Sequence, residues 1–238
     1  MINSFTVTGK FYMPILMFDH VDLSNFDNKR LILLHGSNGS GKTTLLKGLC
    51  DPHSVGFHKG KIGEIHYDTE DEILNRFFSL REDNPKYTRN NLVSNIFDLS
   101  KAWESSRLSE GQSAMDHIWG MLGVLHTIDP ETGEYYIPKK EGKFWVIGID
   151  EFDSGLSIEN IESIIRKFKK IIKTRDDIQI FASFNSPWVV TMYHEFLSMY
   201  TGERIVFENI DEFAKDIKSH KALIEKLRGR KGRYKLFQ

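Results

Sequence analysis

Gly36-Ser37-Asn38-Gly39-Ser40-Gly41-Lys42-Thr43 has the spacing G-x-x-x-x-G-K-[ST]. Just before it, Leu31-Ile32-Leu33-Leu34 is an apolar run of strand length, and just after it Thr44-Leu45-Leu46-Lys47 opens a helix. A glycine-rich loop between a strand and a helix turns successive backbone N–H groups toward an anion, and the helix N-terminus adds partial positive charge. On this reading Gly36, Gly39 and Gly41 supply backbone conformations closed to residues with a Cβ. Lys42 bridges the β- and γ-phosphates as a point charge, the Thr43 hydroxyl holds Mg²⁺, and Ser37, Asn38, Ser40 and Thr44 complete the cradle. The ligand implied is a nucleoside triphosphate, and the strand-to-helix handover implies an α/β sheet.

Composition bounds the rest. A chain of 238 residues with 40% apolar content builds one large domain or two small ones. The net charge of −1 gives no global attraction to nucleic acid or membrane. Cys50 is the single cysteine, which excludes an intramolecular disulfide and fits a reducing compartment. Met1-Ile2-Asn3-Ser4-Phe5 lacks the basic start and apolar stretch of a signal peptide, and no run of about 18 apolar residues occurs. The expectation is a cytoplasmic protein without membrane insertion.

A second signature is Phe144-Trp145-Val146-Ile147-Gly148-Ile149 followed by Asp150-Glu151. The near-continuous apolar run reads as a central parallel strand covered on both faces. Ligands in open α/β sheets lie outside the carboxyl ends of the strands, so both acids are expected beside the phosphates. Asp150 is read as a Mg²⁺ ligand, directly or through water, and Glu151 as the general base that polarises the attacking water.

A third is Leu108-Ser109-Glu110-Gly111-Gln112-Ser113. Ser109 with Gln112 three residues later forms a capping box, and Met115, Ile118, Trp119, Leu122 and Leu125 mark one apolar face at helical spacing. With the phosphate loop before it and the Asp-Glu strand after it, this segment resembles the Leu-Ser-Gly-Gly-Gln signature of ABC-type ATPases, with Glu110 in place of the first Gly. The resemblance implies ATP as the nucleotide and a homodimer in which two copies pack head to tail. Each copy's Ser109, Gly111 and Gln112 then close over the γ-phosphate bound by the other, so that ATP joins what ADP releases.

The chain departs from that family at three further places. Phe152-Asp153-Ser154-Gly155-Leu156-Ser157 resembles its dimer-contact D-loop, with Ser157 where an Asp is usual. After the strand Ile178-Gln179-Ile180-Phe181-Ala182, Asn185 stands where the family places a His against the γ-phosphate. An amide donates a hydrogen bond but carries no charge, so hydrolysis is expected to be slow. The alternative is that Asn185 is a turn residue before a helix opening at Ser186-Pro187. No Gln precedes Gln112, so the Q-loop glutamine is missing; Glu82, Asp83 or Asn84 supplies an oxygen there, or the segment is a turn before Pro85. Phe11, Tyr12 and Phe18 are candidates to stack on adenine, or are core.

Strands are expected at Phe5 to Val7, Pro14 to Phe18, Lys61 to Tyr67 and Leu74 to Leu80, and a helix with an Ile158, Ile161, Ile164, Ile165, Phe168, Ile171 and Ile172 stripe follows the D-loop. Residues 1–238 read as a single domain, with a helical signature lobe at 91–126 and a basic tail at 228–238. From Lys42 to Ser109 is 109 − 42 = 67 positions without a heptad pattern, so the coiled-coil arm of SMC-type ATPases is absent. Ile128 to Pro138 reads as a turn-rich hairpin, either a partner contact or a passive loop. Arg228-Gly229-Arg230-Lys231-Gly232-Arg233-Tyr234-Lys235 is either a solvated tail or a contact for a nucleic-acid backbone.

The resulting expectation is an α/β fold: a P-loop NTPase of ABC-ATPase type, with a central, mostly parallel sheet flanked by helices and an N-terminal antiparallel β region. Its function is expected to be Mg²⁺-dependent ATP hydrolysis through Glu151, coupled to a separate protein partner. Ser186-Pro187 and the missing Q-loop glutamine make the chain more similar to stand-alone ATPases of DNA repair and phage defence than to transporter motors. The rivals are the nucleotide-binding subunit of a membrane transporter and a non-hydrolysing, ATP-gated assembly module.

Overall fold

The computed structural model describes residues 1–7, 18–50, 65–69, 71–79, 115–116, 118–120, 122–123, 125, 133, 139 and 141–234, with side chains of the last helix described up to residue 222. The signature residues Ser109, Glu110, Gly111 and Gln112, the Glu82 to Asn84 region, Phe11, Tyr12, most of the strand expected at 14–18, most of 91–126 and 128–138, and residues 235–238 lie outside the described residues.

Three strands, β1 (Ser4–Val7), β2 (His20–Asp22) and β4 (Ile65–Asp68), form an antiparallel sheet in the order β2-β1-β4. The larger sheet has six strands. Its members are β3 (Leu31–His35), β5 (Glu72–Ser79), β6 (Lys143–Asp150), β7 (Ile178–Ser183), β8 (Glu195–Ser198) and β9 (Arg204–Val206), in the order β5-β6-β7-β3-β8-β9. Every neighbouring pair is parallel except β8 with β9. The helices are α1 (Lys42–Cys50), α2 (Ile158–Thr174) and α3 (Ile210–Tyr234), and the described residues between 115 and 125 are helical as well.

Alternation along the central strands explains the layering. Leu31 and Leu33, Ile147 and Ile149, and Ile178, Ile180 and Ala182 point to one face, where they meet Ile118, Leu122, Leu125 and the isoleucines of α2. Ile32 and Leu34, Phe144 and Val146, and Phe181 point to the other, against Leu45, Leu46 and Leu49 of α1 and Phe5 and Val7 of β1. Both faces of the sheet are covered, which is why β3 and β7 are buried along their whole lengths. Gln179 is a buried polar residue within β7. Its Oε1 accepts the Ile2 N–H, and its Nε2 donates to the Ile2 and Lys29 carbonyls, tying the chain's start to the sheet.

The α2 stripe is buried from Ile161 to Ile172, but Ile158 is 39% exposed because the first turn runs past the core. Ser157 caps that helix by accepting the Asn160 N–H. Trp119, expected on the apolar face of the signature helix, is 38% exposed at its rim, under the Lys167 ammonium. Phe18 joins the core, with its ring against Gly202. Helix α3 carries helical backbone through residues 228–234 of the basic segment.

Register brings the site together. Leu34 pairs with Ser183, and Ala182 pairs with Ile149, so the carboxyl ends of β3, β7 and β6 finish side by side. The strand between the phosphate-loop strand and the Asp-Glu strand is β7, whose last residue therefore faces both.

Candidate active site

The loop between β3 and α1 has Gly39 at φ 82° and Gly41 at φ 93°, in the left-handed region that favours glycine. Gly36 corrects the sequence reading: it is outside that region, and its constraint is space. A Cβ there would sit 2.3 Å from the Ser40 Oγ and 2.9 Å from the Met199 Cβ. The loop thus needs two glycines for its path and one for close approach. Lys42 is buried, and its Nζ donates to the Gly36 carbonyl at 2.5 Å and the Ser37 carbonyl at 3.4 Å. Burial pushes the Lys42 ammonium below its ordinary value, opposed by Asp150, Glu151 and Asp153.

Thr43 meets Asp150 directly: its Oγ1 donates to Asp150 Oδ2 at 2.8 Å. The other carboxylate oxygen accepts from the Ser183 hydroxyl at 2.5 Å. Ser183 in turn accepts the Glu151 N–H at 2.8 Å, so one hydroxyl on β7 holds both acidic residues. Burial raises the Asp150 carboxyl, and the Ser183 and Thr43 hydrogen bonds work against that rise.

Glu151 has φ 51°, alone in that region among the described non-glycine residues. A side chain there costs roughly 1–2 kcal/mol of backbone strain. This turn takes the chain out of β6 and sets the carboxylate beside Asn185, where Glu151 Oε1 accepts from Asn185 Nδ2 at 3.3 Å. Because glycine tolerates this conformation, Glu151→Gly is expected to be about 1 kcal/mol more stable than Glu151→Ala by denaturant unfolding. Equal midpoints would mean that residue 151 relaxes once its carboxylate is gone.

Asp153 is buried and fixes Asn185 from below: its Oδ2 accepts the Asn185 N–H at 2.8 Å and also the Ser186 N–H. Asn185 is therefore both a turn residue and a partner of Glu151. Pro187–Thr191 continues as a short 3-10 helix capped by Ser186. Burial lifts the Asp153 carboxyl above its usual range, against those backbone donors.

These contacts unite Lys42, Thr43, Asp150, Glu151 and Asn185 of the sequence reading at the carboxyl ends of the central strands β3, β7 and β6. They add Ser183 and Asp153, which no spacing singled out. The chemistry of this donor set fits a triphosphate and a divalent cation. The set comprises a buried ammonium whose hydrogen bonds, among the described residues, go to loop carbonyls, and a hydroxyl–carboxylate pair of hard oxygen donors. Ser40 adds an Oγ with no hydrogen-bond partner among the described residues.

No protein-family model matches the chain, and no curated protein does. Solved structures do resemble its backbone. A nucleotide-free ATP-binding cassette from an ABC transporter is 17% identical, with 92% of this chain and 96% of the other covered and a TM-score of 0.45. A Clostridium perfringens protein that is part of an ABC transporter complex is 17% identical over 98% and 97%, with a TM-score of 0.44. A dimeric ATP-binding cassette in a post-hydrolysis state, bound to ADP and phosphate, is 17% identical over 85% and 94%, with a TM-score of 0.44. At such identities the likeness concerns fold alone. With TM-scores below 0.5 they do not distinguish a stand-alone ATPase from a transporter motor.

Proposed function

We propose that the chain is a Mg²⁺-dependent ATPase of ABC type, closed as a head-to-tail homodimer around ATP, and that it passes the nucleotide cycle to a separate protein partner. The observation that carries this reading is the Ser183-centred junction. Thr43 is hydrogen-bonded to Asp150, and the Ser183 hydroxyl holds both that carboxylate and the Glu151 backbone, in a strained turn that sets the Glu151 carboxylate beside Asn185.

Each group has a distinct task. The phosphate loop binds and orients the triphosphate through backbone N–H groups and Lys42. Thr43 and Asp150 would hold Mg²⁺, which supplies charge neutralisation at the phosphate oxygens when bound. Glu151 takes the proton of the attacking water, and Asn185 orients Glu151 through its amide. Since Asn185 adds no positive charge near the γ-phosphate, turnover is slow. The resemblance of Leu108 to Ser113 to the family signature supports Ser109, Gly111 and Gln112 completing the partner copy's pocket.

Light scattering of the native protein with and without ATP·Mg²⁺, alongside phosphate release, tests the reading. The expected result is a dimer with ATP, a monomer with ADP, and slow phosphate release. Release without any ATP-dependent change of mass would overturn the sandwich, and ATP-dependent dimers without release would overturn hydrolysis.

A further inference from the structure

Beside the chemistry described above, the base of the phosphate loop is held from outside by residues close to the chain's carboxyl end. Ser37, the first residue after Gly36, donates its N–H to the Tyr200 hydroxyl at 2.5 Å. Tyr200 is buried and lies in the turn between β8 and β9. That turn is itself rigid: Gly202 takes φ 74° and returns its N–H to the Ser198 carbonyl, and the Met199 N–H donates to the His35 carbonyl at 2.8 Å.

The phenol is in turn seated on α3. Its ring stacks face to face on His220, with centroids 3.9 Å apart and planes 3° from parallel. One turn back along the helix, Asp216 takes Nε2 of His35 at 2.6 Å and lies 3.3 Å from Nδ1 of His220. His35 is fully buried and directly precedes Gly36. Two residues at the loop's root, His35 and Ser37, thus both depend on a single turn of α3, more than 160 residues away in sequence.

We infer that Tyr200 is a positioning residue for the phosphate loop, and that through His220 and Asp216 it makes nucleotide affinity depend on the seating of the carboxyl-terminal helix α3. The inference rests on the ATP-binding reading above. Its physical content is preorganisation. In its present shape the loop already has Lys42 on its inner carbonyls and Ser37 pinned from behind, so binding triphosphate need not first order the root. Because α3 extends to Tyr234, well beyond the turn that carries Asp216 and His220, a partner that shifts the helix would alter affinity without touching the nucleotide.

The test is the ATP dissociation constant of native protein, Tyr200→Phe, His220→Ala and the double variant, each with its nucleotide-free unfolding midpoint. Tyr200→Phe keeps the ring and its stack but removes the acceptor of the Ser37 N–H. It should weaken ATP binding roughly three- to tenfold, the worth of one neutral hydrogen bond, and raise KM while leaving kcat close to native. His220→Ala should weaken binding to a similar degree, and the double variant should lose little more, because both act through one phenol. A Tyr200→Phe variant with lowered midpoint but native affinity would show a purely structural role and overturn the inference; additive losses in the double variant would overturn the relay through α3. Absence of ATP binding by the native chain would instead overturn the nucleotide reading, and this inference with it.

Discussion

Glu151→Gln is expected to reduce phosphate release by about 10²–10⁴-fold while leaving ATP binding intact, because the amide has the size of the carboxylate but cannot accept a proton from water. The contact with Asn185 survives the change, since the side-chain oxygen that accepts from Asn185 Nδ2 is still an acceptor in glutamine. The backbone turn is unaffected too, as the Glu151 N–H on Ser183 belongs to the main chain. The expected signature is therefore specific: phosphate release falls and the ATP-bound dimer lives longer in light scattering. Equal turnover in native and variant proteins would remove Glu151 from its role.

Lys42→Met should weaken ATP binding by at least about 100-fold, because the variant keeps most of the stem and loses the charge that meets the phosphates. The nucleotide-free fold should not suffer in proportion. Burial already disfavours the Lys42 ammonium, so removing it relieves a desolvation cost while giving up hydrogen bonds to two loop carbonyls. Calorimetry for binding and circular dichroism for unfolding separate the two effects. Native affinity in a folded Met variant would place the triphosphate elsewhere than on this loop.

These two variants address residues that the sequence pointed to directly. Lys42 stands in a motif whose meaning is local: a strand, a glycine-rich turn and a helix follow one another within about twenty residues, and that order alone aims N–H groups and a charge at one spot. Glu151 was legible for a related reason, as an acid at the end of an apolar run that had to be a covered strand. The same local logic misassigned Gly36, since sequence shows that a glycine is present but not whether it answers a dihedral angle or a neighbour. The neighbour here is Met199, brought in by β8.

Ser183 was the residue most easily missed. It reads as the unremarked polar end of an apolar strand, and only the placement of β7 between β3 and β6 gives it two acids to hold. Asp153 escaped for a similar reason, because its partners are the backbone N–H groups of Asn185 and Ser186, which no side-chain pattern advertises.

The linear chain by itself determined the glycine-rich loop between a strand and a helix, the acidic pair after a covered strand and the alternating strands and helices, since each follows from spacing and polarity over a few neighbouring residues. Tertiary structure decided what stands against them: Thr43 on Asp150 across 107 positions and Ser37 on Tyr200 across 163. Such pairings depend on strand order and register. Those are settled by how two apolar faces of one sheet are covered at once, a property of the packed whole that no short segment carries.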